Sequence, residues 1–270
     1  MPFPLLKSIS RLLFFLLVSQ SVQAQEEKSA AFMLIEDSWR NGKNWLDLDF
    51  EREDYWFWSA GAVVVGGTFA YDLALQEGLQ LAEGDIKSGL SISTEPFGNP
   101  YYMGALALGS YVYGSIANNG ELQNLSSLAL QSMFTAGLGV TVLKVAFHRE
   151  RPEEQLVLDP YQFNGPSLSR DNLSFPSGHT AIAFSLASSI SAYYDDPLYL
   201  AIPLYSLATL TAWQRIYDQK HWPSDVAMGA IIGVFVGRKL ATWQKASKVN
   251  LGSAILPNGN LGLGLSLALD

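Results

Sequence analysis

Three clusters in this chain hold side chains suited to gripping an oxyanion and attacking it. The first is Lys144-Val145-Ala146-Phe147-His148-Arg149-Glu150-Arg151-Pro152, which follows an apolar run that begins near Leu122. Seven residues are almost two turns of an α-helix, so Lys144 and Arg151 are expected on one face, about 10 Å apart along the axis. Two long cationic side chains then converge on one anion, and Pro152 ends the helix. The second cluster, Ser174-Phe175-Pro176-Ser177-Gly178-His179-Thr180, leads into the apolar segment Ala181 to Tyr194. Ser177 reads as a helix N-cap, the helix start offers unpaired N–H groups and partial positive charge, and Gly178 lets an oxyanion approach the main chain. His179 stands beside that cradle. The third cluster runs from Arg215 to Asp225 through His221, Trp222 and Pro223, and Pro223 marks a helix start. His221 and Asp225 are four apart, which lets the carboxylate hold one ring nitrogen and leaves the other free as a nucleophile.

These clusters need a scaffold that brings them to one place. Uncharged stretches run Tyr55 to Tyr71, Phe97 to Gly120, Leu122 to Leu143, Asn172 to Tyr194, Pro197 to Gln214 and Val226 to Gly237, which implies six helices. Ala30 to Phe50 and Asp72 to Leu90 mix charge with apolar residues and suit amphipathic helices across the bundle. Glu153 to Phe175 is the longest polar connection and reads as an irregular loop over one end. With antiparallel neighbours, the end of the third helix, the start of the fourth, the end of the fifth and the start of the sixth all fall on one side. Those four ends carry the three clusters.

Composition removes several function classes. An apolar share of 49% excludes disorder, and a net charge of -8 leaves no basic footprint for a nucleic-acid partner. Cysteine is absent, which excludes disulfides, thiolate metal sites and cysteine nucleophiles. Residues 1–24 carry Lys7 and Arg11, a short apolar run from Leu12 to Val18 and the small-residue site Val22-Gln23-Ala24, the pattern of a cleaved secretory signal. The expected products are a helical domain over 25–248, exported to the periplasm or cell envelope, and a C-terminal β-hairpin over 249–270, where Leu261, Leu263, Leu265, Leu267 and Leu269 alternate. ATP and reduced nicotinamides are scarce outside the cytoplasm, which disfavours kinases and dehydrogenases.

The spaced motifs Lys144-x6-Arg151-Pro152, Pro176-Ser177-Gly178-His179 and Arg215-x5-His221-x3-Asp225 resemble those of the type 2 phosphatidic acid phosphatase superfamily, which includes bacterial acid phosphatases and vanadium haloperoxidases. The resemblance implies an all-α fold with a six-helix core bundle, to which the sequence adds amphipathic helices and the hairpin. It implies that His221 attacks phosphorus to form a phosphohistidine, that Asp225 orients His221, and that His179 protonates the leaving oxygen before water frees the phosphate. Lys144, Arg151, Arg215, Ser177 and the Gly178 amide would neutralise the equatorial oxygens. No metal or other cofactor is implied, and the sequence has no carboxylate cluster shaped for two metals. One position departs from the pattern: Gln214 stands where the family has Ser. The implied substrate is a phosphomonoester or pyrophosphate, soluble or lipid. A non-catalytic lipid-phosphate-binding envelope protein and a vanadate-dependent haloperoxidase are the competing readings.

Leu122 to Leu143 is long enough to cross a bilayer, whereas Val226 to Gly237 is short, so a periplasmic bundle, with membrane association left open, is favoured over a six-span enzyme. Arg149 and Lys220 are expected as surface charges and His148 as a solvated residue at a helix end. Trp213, Tyr217 and Trp222 are expected to pack beside the site.

Overall fold

A computed structural model of the chain describes residues 51–80, 85–169, 171–246, 249–255 and 261–267. The expected export signal and the amphipathic stretch Ala30 to Phe50 lie outside the described residues. Among those described, the chain is mostly helical: α1 (Arg52–Ala70), α2 (Asp72–Gln80), α3 (Asp85–Gly98), α4 (Pro100–Ile116), α5 (Gly120–Phe147), α6 (Gly178–Tyr193), α7 (Leu198–Tyr217) and α8 (Pro223–Ala246). Beyond α8, Val249–Ile255 and Leu261–Leu267 pair antiparallel, with Val249 opposite Leu267. The turn between them lies outside the described residues.

Local chemistry sets several of these boundaries. Asn99 caps α4 by accepting from the Tyr101 N–H, with Pro100 in the first turn, and Asn119 caps α5 by accepting from Leu122 N–H at 3.0 Å. The third apolar helix stops sooner than its sequence suggests. His148 adopts a left-handed conformation, φ 47°, and caps α5 through its N–H to the Lys144 carbonyl. Arg151 therefore lies beyond the helix, at the start of a short 3-10 turn (Pro152–Glu154), and the shared helical face expected for Lys144 and Arg151 does not form. A single left-handed residue terminates a helix four residues before the proline expected to end it.

Helix α6 packs against α8, α5, α7 and α3. Its contact with α8 is backbone-close because three glycines recur at four-residue spacing on α8. A Cβ added at Gly229 would lie 2.5 Å from the Ser177 carbonyl, at Gly233 2.5 Å from that of Ala181, and at Gly237 2.1 Å from Ser188 Oγ. The facing side of α6 is built of small residues, with Ala181, Ser185, Ser188 and Ser189 all buried. Small residues on both helices let their axes approach as large side chains cannot.

The outer surface is apolar. Val63 and Val64 of α1, Leu106 and Ile116 of α4, Phe134, Leu138 and Val142 of α5, and Leu198 and Ile202 of α7 are all exposed. Helices α5 and α8 are each long and apolar enough to cross a bilayer, and α1 with α2, bent by 68° at their junction, form a third candidate. Exposed apolar side chains in this number suit association with a membrane.

Candidate active site

The α6–α8 contact brings the second and third clusters together at one end. The Ser177 N–H donates to the Asp225 carbonyl at 2.9 Å, so the first turn of α6 abuts the first turn of α8. Ser177 caps α6, its Oγ accepting from the Thr180 hydroxyl at 2.9 Å and weakly from the Thr180 N–H at 3.5 Å. Gly98, at the end of α3, closes the other side: a Cβ there would stand 2.8 Å from the His179 carbonyl. Histidine 179 is thereby packed from two directions.

Asp225 is fully buried and held from both oxygens. Its Oδ2 accepts from Ser174 Oγ at 2.5 Å and from the Trp222 N–H at 2.9 Å, and its Oδ1 accepts from Arg149 Nη1 at 2.6 Å. His221 Nδ1 lies 3.8 Å from Oδ2, near enough to feel the charge but too far for a hydrogen bond. The expected His221–Asp225 bond is therefore not closed: three other donors occupy the carboxylate first. Nδ1 is the ring nitrogen nearer Asp225, and it has no hydrogen-bond partner.

His221 sits in the short connection between α7 and α8, outside the apolar spans. Burial holds its imidazole far below the ordinary histidine range, down to about 3, with the Lys144 and Arg215 cations adding to that effect against the pull of Asp225. The ring is neutral at physiological pH, the state a nucleophile requires.

The cations gather around the same place. Lys144 Nζ donates to the carbonyls of Leu173 and Ser174, the second at 3.3 Å, which anchors the strand of loop entering α6. Arg215 is buried, with Nη1 3.5 Å from Gln214 Oε1 and with Nε lacking any partner. Gln214 also donates to Asp218, which accepts from Ser91 Oγ at 2.8 Å. The residue in the unusual position thus works sideways, tying Arg215 to α3 through Asp218. Arg151 lies at the rim, half-exposed and 3.6 Å from Glu153. Lys144, Arg151 and Arg215 all act electrostatically on His179.

The structure corrects two surface expectations. Arg149 is fully buried: its guanidinium donates to Asp225, to Asp72 Oδ2 at 2.7 Å, to Ser224 Oγ at 2.8 Å and to the Pro160 carbonyl at 2.6 Å. Phe69, Phe163 and Trp222 rings lie 5.1 to 5.4 Å from it. His148 is buried as well, because the left-handed turn folds it under the loop, where its carbonyl accepts from Asn164 N–H. Lys220 is a half-exposed partner of Glu153, as a surface charge should be. Trp222 is buried beside the site with its indole N–H on the Glu150 carbonyl at 3.0 Å, and Trp213 stacks on Tyr217 at 5.0 Å. Asp72, Arg149, Ser174 and Ser224 are the site residues that sequence reasoning missed.

A cavity of about 560 Å³ runs from the outer surface to this cluster. Pro100, Leu130, Met133, Phe134, Leu138 and Ile182 make apolar walls, and Lys144, Gly178 and His179 line it too. Among the described residues no group of three His, Asp or Glu is arranged to hold a metal.

Residues 125–248 match the family model of the PAP2 superfamily. That match covers a little under half of the chain. Over 72 residues the chain is 42% identical to the lipid A 1-phosphatase of Porphyromonas gingivalis, a stretch covering 26% of this chain and 16% of that protein. It is 28% identical over 157 residues to the probable diacylglycerol pyrophosphate phosphatase 1 of Schizosaccharomyces pombe, covering 47% of this chain and 56% of that one. The match thus spans little more than half of the yeast protein and far less of the bacterial one. A transmembrane PAP2 type phosphatidylglycerolphosphate phosphatase from Bacillus subtilis shares the fold, with a TM-score of 0.55 at 18% identity over 70% of this chain and 94% of that one.

Proposed function

We propose that this chain removes phosphate from an amphiphilic substrate, a lipid phosphomonoester or lipid pyrophosphate, through a phosphohistidine intermediate and without a metal. The observation that carries the lipid part is the cavity whose apolar walls lead to Lys144, Gly178 and His179. A soluble ester has no use for such walls, whereas a lipid seats its chain there and its headgroup among the cations.

Chemistry follows from the cluster. Lys144, Arg151, Arg215 and the helix-start N–H groups at Ser177 and Gly178 hold the phosphoryl oxygens. His221 Nε2 gives its lone pair to phosphorus as the P–O bond breaks, and the ring, now positive, is balanced by the Asp225 carboxylate. His179, protonated in the presence of the substrate's negative charge, gives its proton to the departing oxygen. Water then attacks phosphorus, His179 takes its proton, and the P–N bond breaks to free inorganic phosphate and restore His221. Similar phosphatases among the relatives support this assignment of reaction.

The proposal includes export by residues 1–24, a core of α1 and α4 to α8, and a C-terminal strand pair that caps the domain and takes no part in catalysis. The test is phosphate release by the full chain in detergent, with EDTA, from long-chain lipid phosphates and pyrophosphates against glycerol phosphate. Release from the lipids is expected to persist and to exceed that from the soluble ester. Absence of release from every substrate, or a preference for the soluble ester, overturns the reading.

A further inference from the structure

The geometry points to Arg149 as a positioning residue for phosphoryl transfer, acting through Asp225 while Asp72 balances its charge. The inference rests on the phosphatase reading above and concerns Arg149, at an unspecified position of the first motif, and Asp72, which no motif includes.

Arg149 is the cation among the described residues that touches Asp225, and it does so with no water access: both side chains are 0% exposed. A carboxylate in such a place keeps its charge only if a cation and hydrogen bonds replace the solvent. The guanidinium fork supplies that, sending Nη1 to Asp225 and Nη2 to Asp72. Arg149 is pinned in turn by two bonds to the Pro160 carbonyl, and Ser224 bridges from the start of α8, its Oγ donating to Asp72 Oδ2 at 2.6 Å and its N–H to Asp72 Oδ1 at 2.7 Å. Arg149 has no open path to the phosphoryl group, because Phe69, Phe163 and Trp222 wall it in.

Charge arithmetic gives Asp72 its part. Arg149 alone beside Asp225 would cancel the negative charge that the phosphorylated His221 ring needs. With Asp72 on the far side of the guanidinium, the Asp72–Arg149 pair is neutral and Asp225 presents its full charge toward His221. The fork fixes the carboxylate in space without consuming its field. Removing Asp72 therefore weakens stabilisation of the charged ring, and removing Arg149 leaves two buried carboxylates without a counterion.

The experiment compares the wild type with Asp72→Asn, Arg149→Lys and the double variant Asp72→Asn/Arg149→Met. The double variant removes Asp72 together with the guanidinium, so one buried carboxylate, held by Ser174 and the Trp222 N–H, is left without its cation where the loss of Arg149 alone would leave two. Turnover, KM and the inhibition constant of inorganic phosphate are measured on a lipid phosphate. Asp72→Asn and the double variant are expected to lose about 10- to 100-fold in kcat, with KM and phosphate inhibition little changed, and Arg149→Lys to retain more turnover than the double variant. Folded variants with wild-type kcat overturn the inference, as does an equal loss in phosphate affinity, which would mark a general distortion of the site. An inactive wild type instead overturns the phosphatase reading itself, so the two failures are distinct.

Discussion

Ser174 Oγ stands 2.5 Å from Asp225 Oδ2, a bond that spans 51 residues of sequence and joins the loop before α6 to the first turn of α8. It is a charge-assisted contact in a buried place. Ser174→Ala leaves that oxygen with the Trp222 N–H as its remaining donor and lets the carboxylate swing toward His221. Thermal or denaturant melts should show a loss of about 1–3 kcal/mol, and phosphate release should slow by about tenfold or more. A variant that melts and turns over like the wild type would show that the loop does not hold Asp225.

His221→Ala removes the nucleophile and is expected to cost at least about 4 kcal/mol of transition-state stabilisation, about a thousandfold in rate. Rapid acid-free quenching of the wild type with radiolabelled substrate should trap an acid-labile phosphoprotein that the variant does not form. His179→Ala differs in kind. As the donor to the leaving oxygen, its loss should be severe on an alkyl phosphate and mild on nitrophenyl phosphate, whose leaving group needs no proton; equal losses on both would assign His179 another task.

Stability should fall on acidification in a window set by His221. Its folded value is depressed to about 3, while the unfolded chain titrates near the ordinary histidine value of about 6.5. Between those values the unfolded chain binds more protons than the folded one, so stability drops as pH falls through 6.5 and stops dropping below about 3. The slope from this group approaches about 1.4 kcal/mol per pH unit at most. His221→Asn in detergent should flatten the melting midpoint between pH 6.5 and 4, and an unchanged slope would place the effect elsewhere.

Gly137 lines the cavity beside Phe134 and Leu138, and a Cβ added there meets nothing within 4 Å. Gly137→Leu should fold normally and obstruct the passage. Hydrolysis of long-chain lipid phosphates should fall by about tenfold or more, the cost of displacing about two buried methylene groups, while short-chain esters are spared. A uniform effect across chain lengths would remove the cavity from the account of substrate choice.

Gly233→Val tests the scaffold. Its added atoms meet the Ala181 carbonyl at 2.5 Å, with Phe184 Cβ at 2.8 Å behind it. Neither neighbour can yield without moving a helix. The expected penalty is about 1–3 kcal/mol or more, with activity lost in step because His179 lies in the first turn of α6 and His221 just precedes α8, the two helices forced apart. Full activity in this variant would mean that the helix starts are held by something other than the glycine contact.

Much of the site could be read from the chain because it is carried by short motifs at helix starts, where residue type and spacing determine geometry directly. Ser177 as a cap, Gly178 as the first residue of α6 and Pro223 at the start of α8 are local facts, visible in a few consecutive letters. Arg149 and Asp72 were not legible, since they lie 77 positions apart and meet through tertiary packing alone. An arginine between His148 and Glu150 reads as solvated until the left-handed turn at His148 carries it inward. The same turn undid the expected Lys144–Arg151 helical face. Period-based reasoning assumes that a helix continues to its proline, and here a histidine ended it earlier. The glycine spacing on α8 was in plain sight, but only the small residues across from it on α6 turn that spacing into contact.

The glycine-lined seam also separates what can vary from what cannot. With α6 and α8 in main-chain contact, the starts of the two helices that carry the histidine motifs have no room to shift toward one another. If the proposed function holds, substrate preference resides instead in the wall made by Pro100 and α5, which lines the same cavity as His179. Recarving that wall is the route to a new lipid headgroup or chain length, with the reacting frame inherited unchanged.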